Sequence, residues 1–134
     1  MKVDGACHCG NLTFETEIDP DTVRICHCSD CQILSSSAFR IAVSVDEADF
    51  KLLSGEPKIY IKMADNGNKR EQVFCPECGM YIYATSVGDG LRKIGIRVPT
   101  LTQRNELTPT RQFWNRSAQP WVEKIAAIPA IKTQ

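Results

Sequence analysis

Seven cysteines fall into three tight groups: Cys7 and Cys9 in a C-x-C, Cys26, Cys28 and Cys31 in a C-x-C-x-x-C, and Cys75 and Cys78 in a C-x-x-C. Thiolates at such short spacings suit a single Zn²⁺. The two pairs supply four sulfurs, enough to close a tetrahedral site across about 70 residues and so to hold the fold. The triplet supplies three, the ligand count of a zinc with one open position. An open zinc takes water or a substrate thiol and deprotonates what it binds. The chain thus reads as carrying one structural and one reactive metal.

Other arrangements of the same residues compete. The thiols could be free and buried, or the seven could share one cluster of different topology. A disulfide framework leaves one cysteine over, and C-x-C spacing suits chelation better than a bridge. The triplet could close with His27 as Cys₃His. If Cys26–Cys28 is extended, however, the two sulfurs share a side and His27 faces away. His27 is then a candidate acid–base group, and His8, between Cys7 and Cys9, reads as surface or as support for the ligands. Trp114, Trp121, Tyr81 and Tyr83 read as core or pocket wall. Arg40, Lys62, Lys69 and Arg70 could meet an anionic substrate or be solvated charge.

The elements that must position these groups are short. A length of 134 residues fits one domain, 1–134. Asn11 to Ile18 alternates, with Leu12, Phe14 and Ile18 on one face. Phe39 to Val45, Lys58 to Lys62, Arg70 to Phe74 after an Asn66-Gly67 turn, Tyr81 to Ala84, and Leu91 to Val98 read as further strands. Helical signals are brief. Ser29 and Asp30 can cap a turn near Cys31, Asp46 to Phe50 fits one turn, and Pro120 can open another through Ile125. The fold class is all-β, with the four-cysteine site joining the beginning of the chain to its middle.

Formal net charge is zero. Two divalent ions add four charges and seven thiolates remove seven, giving −3. Neither value suits a phosphate-backbone binder, and no basic run suggests a nucleic-acid partner. No apolar stretch is long enough to span a bilayer. Met1 to Gly5 carries no apolar leader, so a cytoplasmic, reducing setting without membrane attachment is the expectation.

Gly5-Ala-Cys7-His-Cys9-Gly10, Cys26-His-Cys28-Ser-Asp-Cys31 and Phe74-Cys75-Pro-Glu-Cys78-Gly79 occur in this order with characteristic gaps. Together they make the chain resemble the glutathione-dependent formaldehyde-activating enzyme family, also called the GFA/CENP-V domain family. Asp49-Phe50, Ser54-Gly55-Glu56 and Ala118-Gln119-Pro120-Trp121 look like weaker landmarks. The resemblance implies an Mss4-like all-β fold, a structural zinc on Cys7, Cys9, Cys75 and Cys78, and a catalytic zinc on Cys26, Cys28 and Cys31. It implies a carbon–sulfur lyase that forms S-(hydroxymethyl)glutathione from glutathione and formaldehyde, with a small thiol and an aldehyde as partners. The chain departs from the family after Cys31. A basic stretch with glycine is common there, but Gln32 to Ser37 stands here, with Ser36 where glycine is usual. The competing functions are a non-catalytic zinc module for a protein partner and a thiol-based metal or redox sensor. A pocket opening on the triplet separates the enzyme from the module.

Overall fold

The computed structural model describes every residue from Met1 to Gln134. The strands are β1 (Lys2–Ala6), β2 (Thr13–Glu17), β3 (Arg24–Cys26), β4 (Arg40–Asp46), β5 (Lys51–Ser54), β6 (Lys58–Met63), β7 (Lys69–Phe74), β8 (Tyr81–Ser86), β9 (Lys93–Arg97) and β10 (Arg111–Phe113). They form a three-stranded sheet, β1-β2-β5, and a seven-stranded sheet, β10-β3-β4-β9-β8-β7-β6. All pairings are antiparallel except β10 on β3. One α-helix, α1 (Ser29–Ser35), accompanies short 3₁₀ turns. This is the all-β class the sequence predicts, and it is consistent with an Mss4-like fold. No helix is long and apolar enough to cross a membrane.

Alternation explains how the sheets pack. Leu12, Phe14, Thr16 and Ile18 are all buried, while Glu15 and Glu17 are exposed. From the larger sheet, Val43, Val45, Ile82, Ile94 and Ile96 join the same core. Phe50 bridges the two, with its ring 5.2 Å from Phe14 and 5.1 Å from Tyr83. Each such side chain removed from water stabilises the fold by about 1.5–3 kcal/mol.

Two glycines are fixed by close approach. A Cβ on Gly5 would lie 2.4 Å from the Phe14 ring, and one on Gly55 would lie 2.5 Å from the Asn11 carbonyl oxygen. Gly55 also has φ +82°, which favours glycine. Both hold β1 and β5 tightly against β2, which carries the chain out of the first cysteine pair.

Three expectations change. The cap of α1 is Cys28, whose Sγ accepts from the Cys31 N–H at 3.3 Å; Ser29 and Asp30 are its first residues. Trp114 and Trp121 are 53% and 47% exposed, so neither is core. Trp114 instead holds Arg116 over its ring at 4.9 Å. The strands β1, β3, β5 and β10 carry too little alternation to be seen in the sequence.

Candidate metal centre

The first cysteine group comes from two tight turns. The Gly10 N–H bonds the Cys7 carbonyl and the Gly79 N–H bonds that of Cys75, at 3.1 and 2.8 Å. Gly10 and Gly79 have φ +80° and +75°, so glycine is favoured at both. The sulfurs of Cys7, Cys9, Cys75 and Cys78 all lie within 4.8 Å of one another. Cys7 and Cys9 sulfurs are 3.6 Å apart, and Cys9 and Cys75 sulfurs 3.8 Å. The edge of a tetrahedron with ~2.3 Å Zn–S bonds is about 3.8 Å, so the donor set fits zinc. The Leu12 N–H donates to Cys7 Sγ at 3.2 Å, as support for a thiolate.

The second group is Cys26, Cys28 and Cys31, again within 4.8 Å, with no fourth residue in the set. Cys26 ends β3, Cys28 caps α1 and Cys31 lies in its first turn, so the helix start folds back on the strand end. Its sulfurs share a proton unevenly. The hydrogen bond with Cys31, backed by the Cys28 N–H and Arg40, pulls Cys26 down to about 5 against the cost of burial. The same hydrogen bond with Cys26, with burial, pushes Cys31 up. Three soft thiolates suit zinc as donors and leave one position over.

His27 is buried at 0% exposure. Its N–H bonds the Phe113 carbonyl at 3.0 Å, and its Nε2 donates to Gln112 Oε1 at 2.6 Å. It does not belong to the three-sulfur group. With no exposed atom, its ring has no path to a substrate proton in this conformation, and what it supports is the position of its neighbours. Gln112 and Gln32 are the supporting residues that the sequence reading missed. Gln32 Nε2 donates to the His27 and Ser117 carbonyls at 2.6 and 3.0 Å, and its Oε1 accepts from Gln119 at 2.7 Å. Long-range pairing of this kind leaves no local sequence signal. His8 is exposed.

At the end of α1 is a cavity of about 460 Å³, lined by Leu34 and the following serines, by Phe39, Arg40 and Arg97, and by Gly79, Met80 and Tyr81. Its size falls within the ~300–1,000 Å³ of small-molecule sites. No triplet cysteine lines it, so the expected pocket opening directly on the sulfurs is not what the structure has; the link is Arg40, which lines the cavity and stands opposite Cys26 in the β3–β4 ladder. Ser36, at the cavity wall, has φ 52° and ψ 38° as the left-handed end of α1. The geometry there explains why glycine suits that position.

The fold and its two sulfur clusters define an all-β protein able to hold two metal ions. A family model for the glutathione-dependent formaldehyde-activating enzyme matches residues 2–117. The chain belongs to that family. The crystal structure of a Rhodobacter sphaeroides protein superposes with a TM-score of 0.62 at 22% identity, covering 81% of this chain and 98% of that one. At that identity the likeness speaks for the fold alone.

Proposed function

We propose that the protein is a zinc-dependent carbon–sulfur lyase that joins glutathione to formaldehyde as S-(hydroxymethyl)glutathione, and cleaves it in reverse. Cys7, Cys9, Cys75 and Cys78 hold the structural zinc, and Cys26, Cys28 and Cys31 the catalytic one. In the forward direction a bond forms between the glutathione sulfur and the aldehyde carbon. The thiol proton leaves the sulfur and one proton ends on the former carbonyl oxygen. A zinc ion bound at the triplet would offer a position for the substrate sulfur and favour its thiolate at neutral pH.

The chain's own residues do the rest. The three cysteines stay fixed because β3 and α1 are fixed. Arg40 sets positive charge beside Cys26 and Cys31 and favours their thiolates. The cavity that Arg40 lines offers room for a second reactant. Tyr81 lines it, as do Ser35, Ser36 and Ser37, so hydroxyl donors are at hand for the product oxygen, whereas His27 is enclosed. His27 acts as the positioning residue of the triplet.

The observation that carries this reading is a three-donor sulfur set with no fourth donor; Arg40, opposite its Cys26, lines a cavity of small-molecule size. The test is turnover of glutathione and formaldehyde by zinc-loaded protein, with the spontaneous reaction subtracted. A rate well above the spontaneous one supports the reading. No rate with any thiol–aldehyde pair would leave the binding module as the better account.

A further inference from the structure

The face of the larger sheet that carries Cys26 also carries a row of arginines, and cross-strand register puts them there. Cys26 stands opposite Arg40, and Arg24 opposite Ala42. Ala42 stands opposite Arg97 and Ser44 opposite Gly95. Gly95 stands opposite Ala84, Ala84 opposite Gln72, and Arg70 lies two residues before Gln72. Residues paired in this way share a face, as do residues two apart in one strand. Ala42, Ala84 and Gly95 make a floor of small residues over which the long side chains lie. A Cβ on Gly95 would come within 3.2 Å of an Arg24 terminal nitrogen.

These four guanidiniums have no carboxylate. The ion pairs of the protein use Lys51, Lys62, Arg92 and Lys93 for the cations. Lys62, on the same face, is already held by Asp30. Arg24 donates to Ser44 Oγ at 2.7 Å and Arg97 to Gln72 Oε1 at 2.9 Å, both neutral partners. Arg40 Nε is buried with no partner. Arg97 is buried, and Arg24, Arg40 and Arg70 are half-buried. Like charges gathered out of water are costly unless something of opposite sign completes them. The triplet does not suffice. With one divalent ion its three thiolates leave one negative charge against four positive ones.

We propose that this arginine face is the subsite that receives the carboxylates of the glutathione substrate; the inference rests on the reaction proposed above. Arg40 stands opposite Cys26 and lines the cavity, and Arg97 lines the same cavity. A ligand with its sulfur at the triplet lays its carboxylates on these guanidiniums, which match carboxylate geometry two bonds at a time. In this chain the cations that recognise the substrate come from the sheet, since Gln32 to Ser37 after Cys31 holds none.

S-methylglutathione isolates the subsite, because it keeps both carboxylates and lacks a free thiol. Calorimetry on zinc-loaded protein compares it with its diethyl ester, in the wild type and in Arg40→Gln and Arg70→Gln. The expected result is that the ester binds at least tenfold more weakly. Each substitution should weaken S-methylglutathione binding at least tenfold per zinc-loaded molecule, and added salt should weaken it further. Equal binding of ester and acid overturns the proposal without any variant. So does a variant that folds, loses zinc and binds S-methylglutathione unchanged per loaded molecule, since the arginines would then serve only the sulfurs. Inorganic phosphate is expected to compete no better than acetate at equal ionic strength. Strong preference for phosphate would overturn the carboxylate assignment. If S-methylglutathione binds as expected but glutathione and formaldehyde do not turn over, the reaction fails and the subsite stands. If they turn over with KM for glutathione unchanged in both variants, the subsite fails and the reaction stands.

Discussion

The His27 ring and the Gln112 side chain meet at 2.6 Å, Nε2 to Oε1, across the parallel pairing of β3 and β10. Strand β10 thereby holds from behind the residue that lies between Cys26 and Cys28. Gln112→Leu leaves the buried Nε2–H without a partner, at a cost of about 1–3 kcal/mol. The expected outcome is a lower melting temperature and earlier loss of one zinc per chain on mild chelation. Melting followed by metal analysis checks both. A variant with unchanged metal retention would show that β10 does not hold the triplet.

Cys78→Ser removes one donor from the four-sulfur group and releases the loop that it closes. Metal binding in such domains is coupled to folding. A loss of about 4 kcal/mol would lower the melting temperature by ~10–20 °C in a chain of this size. Circular dichroism on heating reads this directly. Wild-type melting in Cys78→Ser would contradict the structural role of the site. In the wild type, chelation should strip the triplet first, because a three-donor site leaves room for a competing ligand.

Ser36 ends α1 at φ 52°, where a side chain on Cβ is strained. Ser36→Gly should raise stability by about 0.5–1 kcal/mol, measured by urea unfolding. A destabilised variant would mean that the Ser36 side chain supplies something more than a chain reversal.

Cys26 is pulled down to about 5, with the Cys31 hydrogen bond as the largest lowering contribution. A lowered thiol keeps its charge as pH falls, until pH nears the lowered value. In zinc-free protein Cys26 should therefore still react with iodoacetamide at pH 6, where an ordinary thiol is under about 1% ionised. Cys31, pushed up, should stay inert. Peptide mass spectrometry after brief labelling across pH 5 to 9 gives the profile. Cys26 labelling that begins only above pH 8 would contradict the arrangement of charges around it.

The grouping of the sulfurs was legible because zinc-type spacing is local: turns aim neighbouring sulfurs at one point. The strand faces around Leu12, Phe14, Val43 and Val45 were legible for the same reason, since alternation with period two needs no partner. Arg40 and Arg70 stood out as cations that an anion could meet, but Arg24 and Arg97 did not. Their relation to Cys26 exists only through the β3-β4-β9 register, which no local pattern encodes. Ser29 and Asp30 are residue types that commonly cap a helix. Here the Cys28 sulfur takes that N–H, which ties the helix start to the site itself.

Cys28→Ser bears most directly on the proposed reaction. Serine nearly matches cysteine in size, so the melting curve should remain near that of the wild type. Its hydroxyl is a far poorer zinc donor than a thiolate, and two remaining sulfurs hold the ion weakly. The measurement is zinc content alongside turnover of glutathione and formaldehyde, with the spontaneous reaction subtracted. The account predicts a folded protein with about one zinc fewer per chain and no rate above the spontaneous one. A folded Cys28→Ser protein that keeps the full wild-type rate would contradict it.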